Sequence, residues 1–348
     1  MSSLSTYLRQ VKDVKVIDPT TIHIITDGPA PTLLNNLMSV LIVSKHAGEN
    51  ATSEDYHSGK ATIGTGPYKF SSWISNDTVI VTKNDNYWGP KPQWDKISYI
   101  AMPSVAARLA AVRSGDIDVA LSIPPQDVAS LKGNPSISVF GGDTNRMMYA
   151  AFDTGADTLK SLRVSGPNGE KLDKNPLADA KIRQALRLAI DLQAIKDKVY
   201  LGLANFSGQL LQHQMFGFIP DVKPWKMDVE KASQLVKESG WAGKFKMNIV
   251  TSDTNFPLAV ELSQALAQLW TKVGIPTSVT ALQQSVWIQQ RNEGLVPVLL
   301  STWTNPAGSA EDFFPPVVHS RDTKAGWGVM NQTNYSRKKW MSSSSKDC

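Results

Sequence analysis

The sequence predicts an α/β fold in two domains, and three observations carry that expectation. The chain has 348 residues, too many for one average domain and about right for two. Short apolar or alternating runs of strand length alternate with stretches that repeat at helical spacing, most regularly beyond residue 96. Hydrophobic residues make up 41% and charged residues 19%, which is enough apolar material for a substantial core without the signature of a disordered chain.

Val14–Ile17 and Thr21–Thr26 read as two strands joined at Asp18-Pro19. Pro31 to Val43 opens as a helix and continues as an apolar run, and residues 44–62 read as a polar loop. Two glycines and a proline in Gly64-Thr65-Gly66-Pro67 precede a hairpin of Tyr68–Trp73 and Thr78–Thr82, turned at Ser75-Asn76-Asp77. Asn86 to Pro92 is a loop and Ile97–Met102 a strand. Ser104–Ser114 repeats apolar residues at 105, 109 and 112 and stops at Gly115, which reads as a capped helix. Ile117–Leu121 reads as a buried strand, Pro125–Leu131 as a short helix and Ile137–Phe140 as another strand.

Met147–Phe152 is a strand, followed by an irregular insertion over 154–176. Leu177–Ile190 places Ile182, Ala185, Leu186 and Ala189 on one helical face, and a second helix covers Leu192–Tyr200. Asp228 caps a helix that ends at Gly240. Phe245–Val250 is a strand, Pro257–Val273 a long helix, Pro276–Ala281 a strand, Ser285–Glu293 a helix and Val296–Trp303 a strand.

Composition excludes several functions. The net charge of +5 comes from basic residues interspersed with acidic ones, which describes solvated helix faces and not a nucleic-acid surface. The single cysteine, Cys348, excludes an internal disulfide framework and thiolate metal sites. The longest apolar stretch, Leu33–Val43, is interrupted by Asn35-Asn36 and is too short to span a bilayer. No signal-peptide pattern opens the chain. Gly64-Thr65-Gly66 is followed by Lys69 and a strand where a dinucleotide fingerprint needs glycine and a helix. There is no P-loop and no nucleophile elbow, and the five histidines lack metal spacing. Binding survives this filter better than catalysis, and neither a catalytic residue, a metal nor a cofactor is expected.

A series of blocks resembles the family 5 extracellular solute-binding proteins of ABC importers, the type that serves dipeptides, oligopeptides, glutathione and nickel. The matching residues are Gly64 to Phe70, Asn86-Tyr87-Trp88-Gly89 with Lys91-Pro92, and Asp95-Lys96-Ile97. They continue with Ala107 to Ala111, Ser114 to Val119, Ile182 to Leu186 with Ala189-Ile190-Asp191, Ala232 to Gly240, and Leu269 to Ile275. The resemblance covers about residues 10–336. It implies a periplasmic-binding-protein type II-like fold, two α/β lobes around a ligand cleft, with the first lobe incomplete here. Residues 1–62 then correspond to the remnant of an inserted domain, 63–145 to the core of domain one and 146–336 to domain three, the ligand-binding lobe. Both ends look truncated against the family. Beyond Tyr335-Ser336 the residues depart from its pattern, so 337–348 reads as a frameshifted tail.

The resemblance also marks candidate ligand-binding residues. A cleft-entering strand in peptide-binding relatives ends in a Trp, here Trp303, followed by Thr304 and Asn305. Relatives carry an amine-pairing Asp three residues after that Trp, where this chain has Pro306; Glu311, Asp312 or Asp253 are the available substitutes. Asp253, Thr254 and Asn255 precede the long helix, either as ligand contacts or as a cluster of helix caps. Asn145 and Arg146 lie where the chain passes between lobes, and Arg146 either clamps a carboxylate or pairs on the surface. Gly326-Trp327-Gly328, Asn331 and Tyr335-Ser336 resemble the glutathione-like branch. The implied function is the substrate-binding component of an importer, a periplasmic or extracytoplasmic monomer that delivers a peptide or similar small polar solute to the membrane subunits. A non-functional fragment of such a protein and an α/β hydrolase or transferase stand as alternatives.

Overall fold

A computed structural model of the chain describes residues 7–252, 254–322 and 327–336; the frameshift expected over 337–348 lies outside them. The chain packs as two compact units: Val40–Ile123 forms one, and the segments on either side of it together form the other. The N-terminal segment of the larger unit is a ribbon of β1 (Val11–Asp18) and β2 (Thr21–Thr26), paired antiparallel with Val14 opposite Ile24 and Val16 opposite Ile22. Asp18 turns it, accepting from the Thr20 N–H at 2.8 Å as the Asp-Pro turn predicts. A single short helix, α1 (Leu33–Leu37), follows.

In Val40–Ile123, the stretch read as a loop contains two short helices, α2 (Lys45–Gly48) and α3 (Ser53–His57). Helices this short carry too few turns for periodicity to register. The signal that was available is a capping box. Thr52 Oγ1 accepts from the Asp55 N–H at 3.3 Å while Asp55 Oδ2 accepts from the Thr52 N–H at 2.8 Å. Those bonds from Thr52, with Lys60 nearby, lower the Asp55 carboxyl to about 2. The hairpin of β3 (Tyr68–Ile74) and β4 (Thr78–Lys83) forms where expected and is extended by β5 (Lys96–Ile100) into an antiparallel three-stranded sheet. α4 (Val105–Ser114) ends on Gly115 at φ 82°, a left-handed cap that glycine adopts without strain.

Two expected strands are absent. Ile117–Leu121 and Ile137–Phe140 are irregular, with Val119, Leu121 and Phe140 at 72%, 71% and 92% exposure. An apolar run becomes a strand only where a partner supplies its backbone hydrogen bonds. At the first site the Asp116 and Ile117 N–H groups bond back to Ala111 O, closing the helix end and not a ladder.

The remaining elements of the larger unit run α5 (Pro125–Lys132), β6 (Arg146–Phe152), β7 (Val164–Ser165), α6 (Ala180–Leu188) and α7 (Leu192–Ala194). Then come α8 (Val229–Glu238), β8 (Lys246–Ser252), α9 (Ala259–Lys272), β9 (Thr277–Leu282), α10 (Gln284–Asn292) and β10 (Val298–Thr304). The expected insertion over 154–176 supplies β7, which pairs antiparallel with β8, and β9 pairs parallel on the other side of β8. The α6 face read from the sequence is the core: Ile182, Ala185, Leu186 and Ala189 are buried among Leu235, Ile249 and Trp270. Asp179, Asp191 and Asp228 cap α6, α7 and α8 through their carboxylates. Trp270 is wholly buried, and its indole N–H donates at 2.9 Å to Leu186 O, one of the last carbonyls of α6 that the helix itself leaves unpaired.

Candidate functional site at the end of strand β10

β6 and β10 form an antiparallel two-stranded ladder with Val298 opposite Phe152, Leu300 opposite Ala150, Trp303 opposite Met147 and Thr304 opposite Arg146. Side chains alternate between the two faces of such a ladder. Val298, Leu300 and Phe152 enter the main core, whereas Leu299 and Ala151 pack on the other side against Val250, Trp287 and Val296. β10 is buried from Val298 to Leu300, part-buried from Ser301 to Trp303 and exposed at Thr304. The strand thus carries its side chains out of the core at its carboxyl end. Period two also means that Trp303 and Thr304, adjacent in sequence, face opposite ways.

Trp303 is held on its face by Asp312 and Phe313. Its indole N–H donates to Asp312 Oδ2 at 2.7 Å, and its ring meets Phe313 edge-on at 5.4 Å. Tyr149, on the same face, meets Phe313 edge-on at 5.5 Å. Asp312 is 2% exposed, and burial pushes its carboxyl above the usual range, opposed by hydrogen bonds from Trp303 and Tyr7. The Tyr7 hydroxyl is pushed up in turn, by burial and then by the Asp312 charge. Among the described residues Asp312 Oδ1 has no hydrogen-bond partner.

Next to it, Glu311 accepts from Arg9 and from Thr32 Oγ1. The Arg9 guanidinium also lies 4.2 Å from the centroid of Trp327, whose ring stacks on His319 at 4.4 Å. Asn35 Nδ2 donates to Ala307 O at 2.8 Å. Segment 7–39 is therefore fastened to the loop after β10. The sequence reading missed Tyr7, Arg9 and Thr32. Partners some three hundred residues apart leave no local pattern.

The predicted residues separate into distinct roles. Asn305 is 3% exposed, and its side chain staples its own loop, donating to Ser309 O at 2.8 Å and accepting from the Ser309 N–H at 3.2 Å. Asn145 Nδ2 donates to Asn305 O at 3.2 Å. Asn255 Nδ2 donates to Leu300 O at 2.9 Å, tying the loop after β8 to β10. Thr254 is exposed, with Oγ1 3.3 Å from Ser252 Oγ and 3.4 Å from Gln284 Oε1. Arg146 and Thr304 are exposed and directly opposed in the ladder. Asp253 lies outside the described residues. The ladder thus brings Asn145, Arg146, Thr304 and Asn305 to one end, with Trp303 on the opposite face; Asn255 meets β10 further in, at Leu300.

Among the described residues no group of three or more His, Cys, Asp or Glu is placed to hold a metal ion, and no helix is long and apolar enough to cross a membrane.

Comparison with known proteins agrees with this architecture. The chain is 24% identical over 334 residues to the dipeptide-binding protein of Escherichia coli, covering 94% of this chain and 58% of that protein. It is 26% identical over 322 residues to the glutathione-binding protein of Shigella boydii, covering 90% and 58%. Heme-binding protein A of Haemophilus influenzae is 24% identical over 320 residues, covering 89% and 55%. The chain therefore spans somewhat over half the length of the curated relatives it matches. Among solved structures, NikZ from Campylobacter jejuni in complex with Ni(L-His) superposes with a TM-score of 0.79 at 23% identity, covering 99% of this chain and 67% of that one. The murein tripeptide binding protein of Escherichia coli gives 0.77 at 19%, covering 99% and 67%. These likenesses establish the expected type II periplasmic-binding-protein fold. The profile of bacterial extracellular solute-binding proteins, family 5 Middle, matches residues 2–325, and the chain belongs to that family.

Proposed function

We propose that the protein is the substrate-binding component of an ABC importer, capturing a peptide or similar small polar solute outside the cytoplasm and delivering it to the membrane permease. The family match over residues 2–325 carries this reading. The relatives named above bind dipeptide, glutathione and heme, and the NikZ structure holds nickel–histidine. The site supports it through a part-buried aromatic, Trp303, and polar groups that leave the core together at one strand end. In this reading Trp303, Thr304, Asp253, Thr254, Asn145 and Arg146 meet the solute, while Asn305 and Asn255 fix the loops that present them. The division into 1–62, 63–145 and 146–336 is retained as part of the proposal.

Capture makes and breaks no bond. The ligand displaces water from aromatic and polar groups and shifts the protein toward whichever conformer binds it more tightly. A thermal-shift screen against dipeptides, longer peptides, glutathione, nickel–histidine and neutral sugars tests the reading. A solute at one hundred times its dissociation constant adds about 2.7 kcal/mol to folded-state stability. A saturable rise in the midpoint supports capture; a cooperative transition that no solute moves counts against it.

A further inference from the structure

Trp303 is fastened at its one polar atom. An indole has a single donor, and this one goes to Asp312 Oδ2 at 2.7 Å. The carboxylate that receives it is 2% exposed, and Phe313, which meets the same ring edge-on at 5.4 Å, is 3% exposed. Turning the ring to another rotamer breaks the bond and strands a buried carboxylate oxygen. Among the described residues the other oxygen, Oδ1, is already without a hydrogen-bond partner. The Arg9 guanidinium that reaches this loop pairs with Glu311, and among the described residues no cation pairs with Asp312. The buried carboxylate therefore depends on hydrogen bonds, and its bond from the indole is costly to lose.

The carboxylate is held in turn from outside the β6–β10 ladder. β10 ends at Thr304, and Asp312 closes the short turn Ala310–Asp312. The Asn305–Ser309 bonds fix the loop between them. Arg9 and Thr32 hold Glu311, and Asn35 Nδ2 holds Ala307 O. Both ends of the Trp303–Asp312 bond are thus set, the ring by strand register and the carboxylate by an anchored loop. Because its N–H is taken, Trp303 offers a solute an aromatic surface and no hydrogen-bond donor.

We propose that Asp312 is a positioning residue of the solute site: it holds the Trp303 ring in the one orientation that meets the solute and touches no solute itself. The inference rests on the solute-binding reading above and deepens it, since the affinity of the site then depends on a buried acid that serves the indole.

Calorimetric titration with Met-Leu, glutathione and nickel–histidine, on the parent, Asp312→Leu, Trp303→Phe and the double variant, tests it. A ring freed from the carboxylate samples about three χ1 wells and about two χ2 orientations. The competent fraction then falls to between about a third and a sixth, and the apparent dissociation constant of the tightest-binding probe rises about three- to sixfold. In the Trp303→Phe background there is no indole N–H to hold, so Asp312→Leu costs no further affinity, a coupling that a general loss of stability does not produce. Asp312→Asn, which keeps an acceptor without the charge, falls between the parent and Asp312→Leu and carries the test should the leucine variant not fold. In proton–nitrogen correlation spectra the Trp303 indole signal, identified by its loss in Trp303→Phe, moves in both Asp312 variants. The signals of the buried Trp270 and Trp287 stay in place and report an intact core. Equal losses from Asp312→Leu with and without the Trp303 indole, or an indole signal indifferent to both Asp312 variants, overturn the positioning role and leave solute capture standing. Saturable binding of none of the probes counts against both.

Discussion

Asn305 looked from the sequence like a residue that touches ligand, and its geometry makes it a loop staple whose loss is felt in stability. In Asn305→Ala two bonds disappear, Nδ2 to Ser309 O at 2.8 Å and the Ser309 N–H to Oδ1 at 3.2 Å. Ser309 is 1% exposed. Its carbonyl keeps a second donor, the Asp312 N–H at 3.2 Å, so that loss is a partial one of about 0.5–1.5 kcal/mol. Its N–H has no other acceptor among the described residues, and an orphaned buried donor costs about 1–3 kcal/mol. The sum is about 2–4 kcal/mol, a fall in melting temperature on the order of 5–15 °C for a unit of this size. Asn305→Asp keeps the acceptor for the Ser309 N–H but buries an unpaired charge and turns its second oxygen on Ser309 O, so it is expected to cost at least as much as alanine. Differential scanning calorimetry of the three proteins decides. An alanine variant within about 0.5 kcal/mol of the parent, or an aspartate variant as stable as the parent, would refute the staple.

Further outcomes follow from the same end of the fold and from the core. Arg9 and Glu311 have side chains only 11% and 18% exposed, so Arg9→Ala strands a buried carboxylate and lowers stability by about 3–5 kcal/mol, while the double change Arg9→Met with Glu311→Gln recovers most of it in urea unfolding. Asp312 has a folded-state pKa raised by burial. Below the unfolded carboxylate value, about 3.9, its contribution is fully present, and it is lost as pH rises through the raised folded value. Asp312→Asn should therefore remove that decline from the pH–stability curve, and an unchanged slope contradicts the burial argument. Trp270→Phe leaves Leu186 O without its donor and a void in the core, costing about 2–4 kcal/mol by chemical denaturation.

Much of the fold was legible in the sequence. α6 and α8 announce themselves by apolar spacing and by Asp179 and Asp228, because helical period and cap chemistry are local. The β3–β4 hairpin and the Gly115 stop are local in the same sense. What failed was non-local. Ile117–Leu121 has strand composition but gains no ladder, and α2 and α3 are too short to show a period. At the site, Trp303, Thr304 and Arg146 were visible as residues, but their division between two faces depends on the register of β6 against β10, which a single sequence does not reveal. The amide groups of Asn305 and Asn255 were committed to backbone carbonyls whose positions are set only by the fold.

The central claim is that this family 5 chain captures a small solute, and equilibrium dialysis against labelled dipeptide, glutathione and nickel–histidine tests it most directly. The account predicts saturable binding of at least one of these with one site per chain, abolished by denaturation. Retention of none of them above the level of an unrelated protein would contradict it.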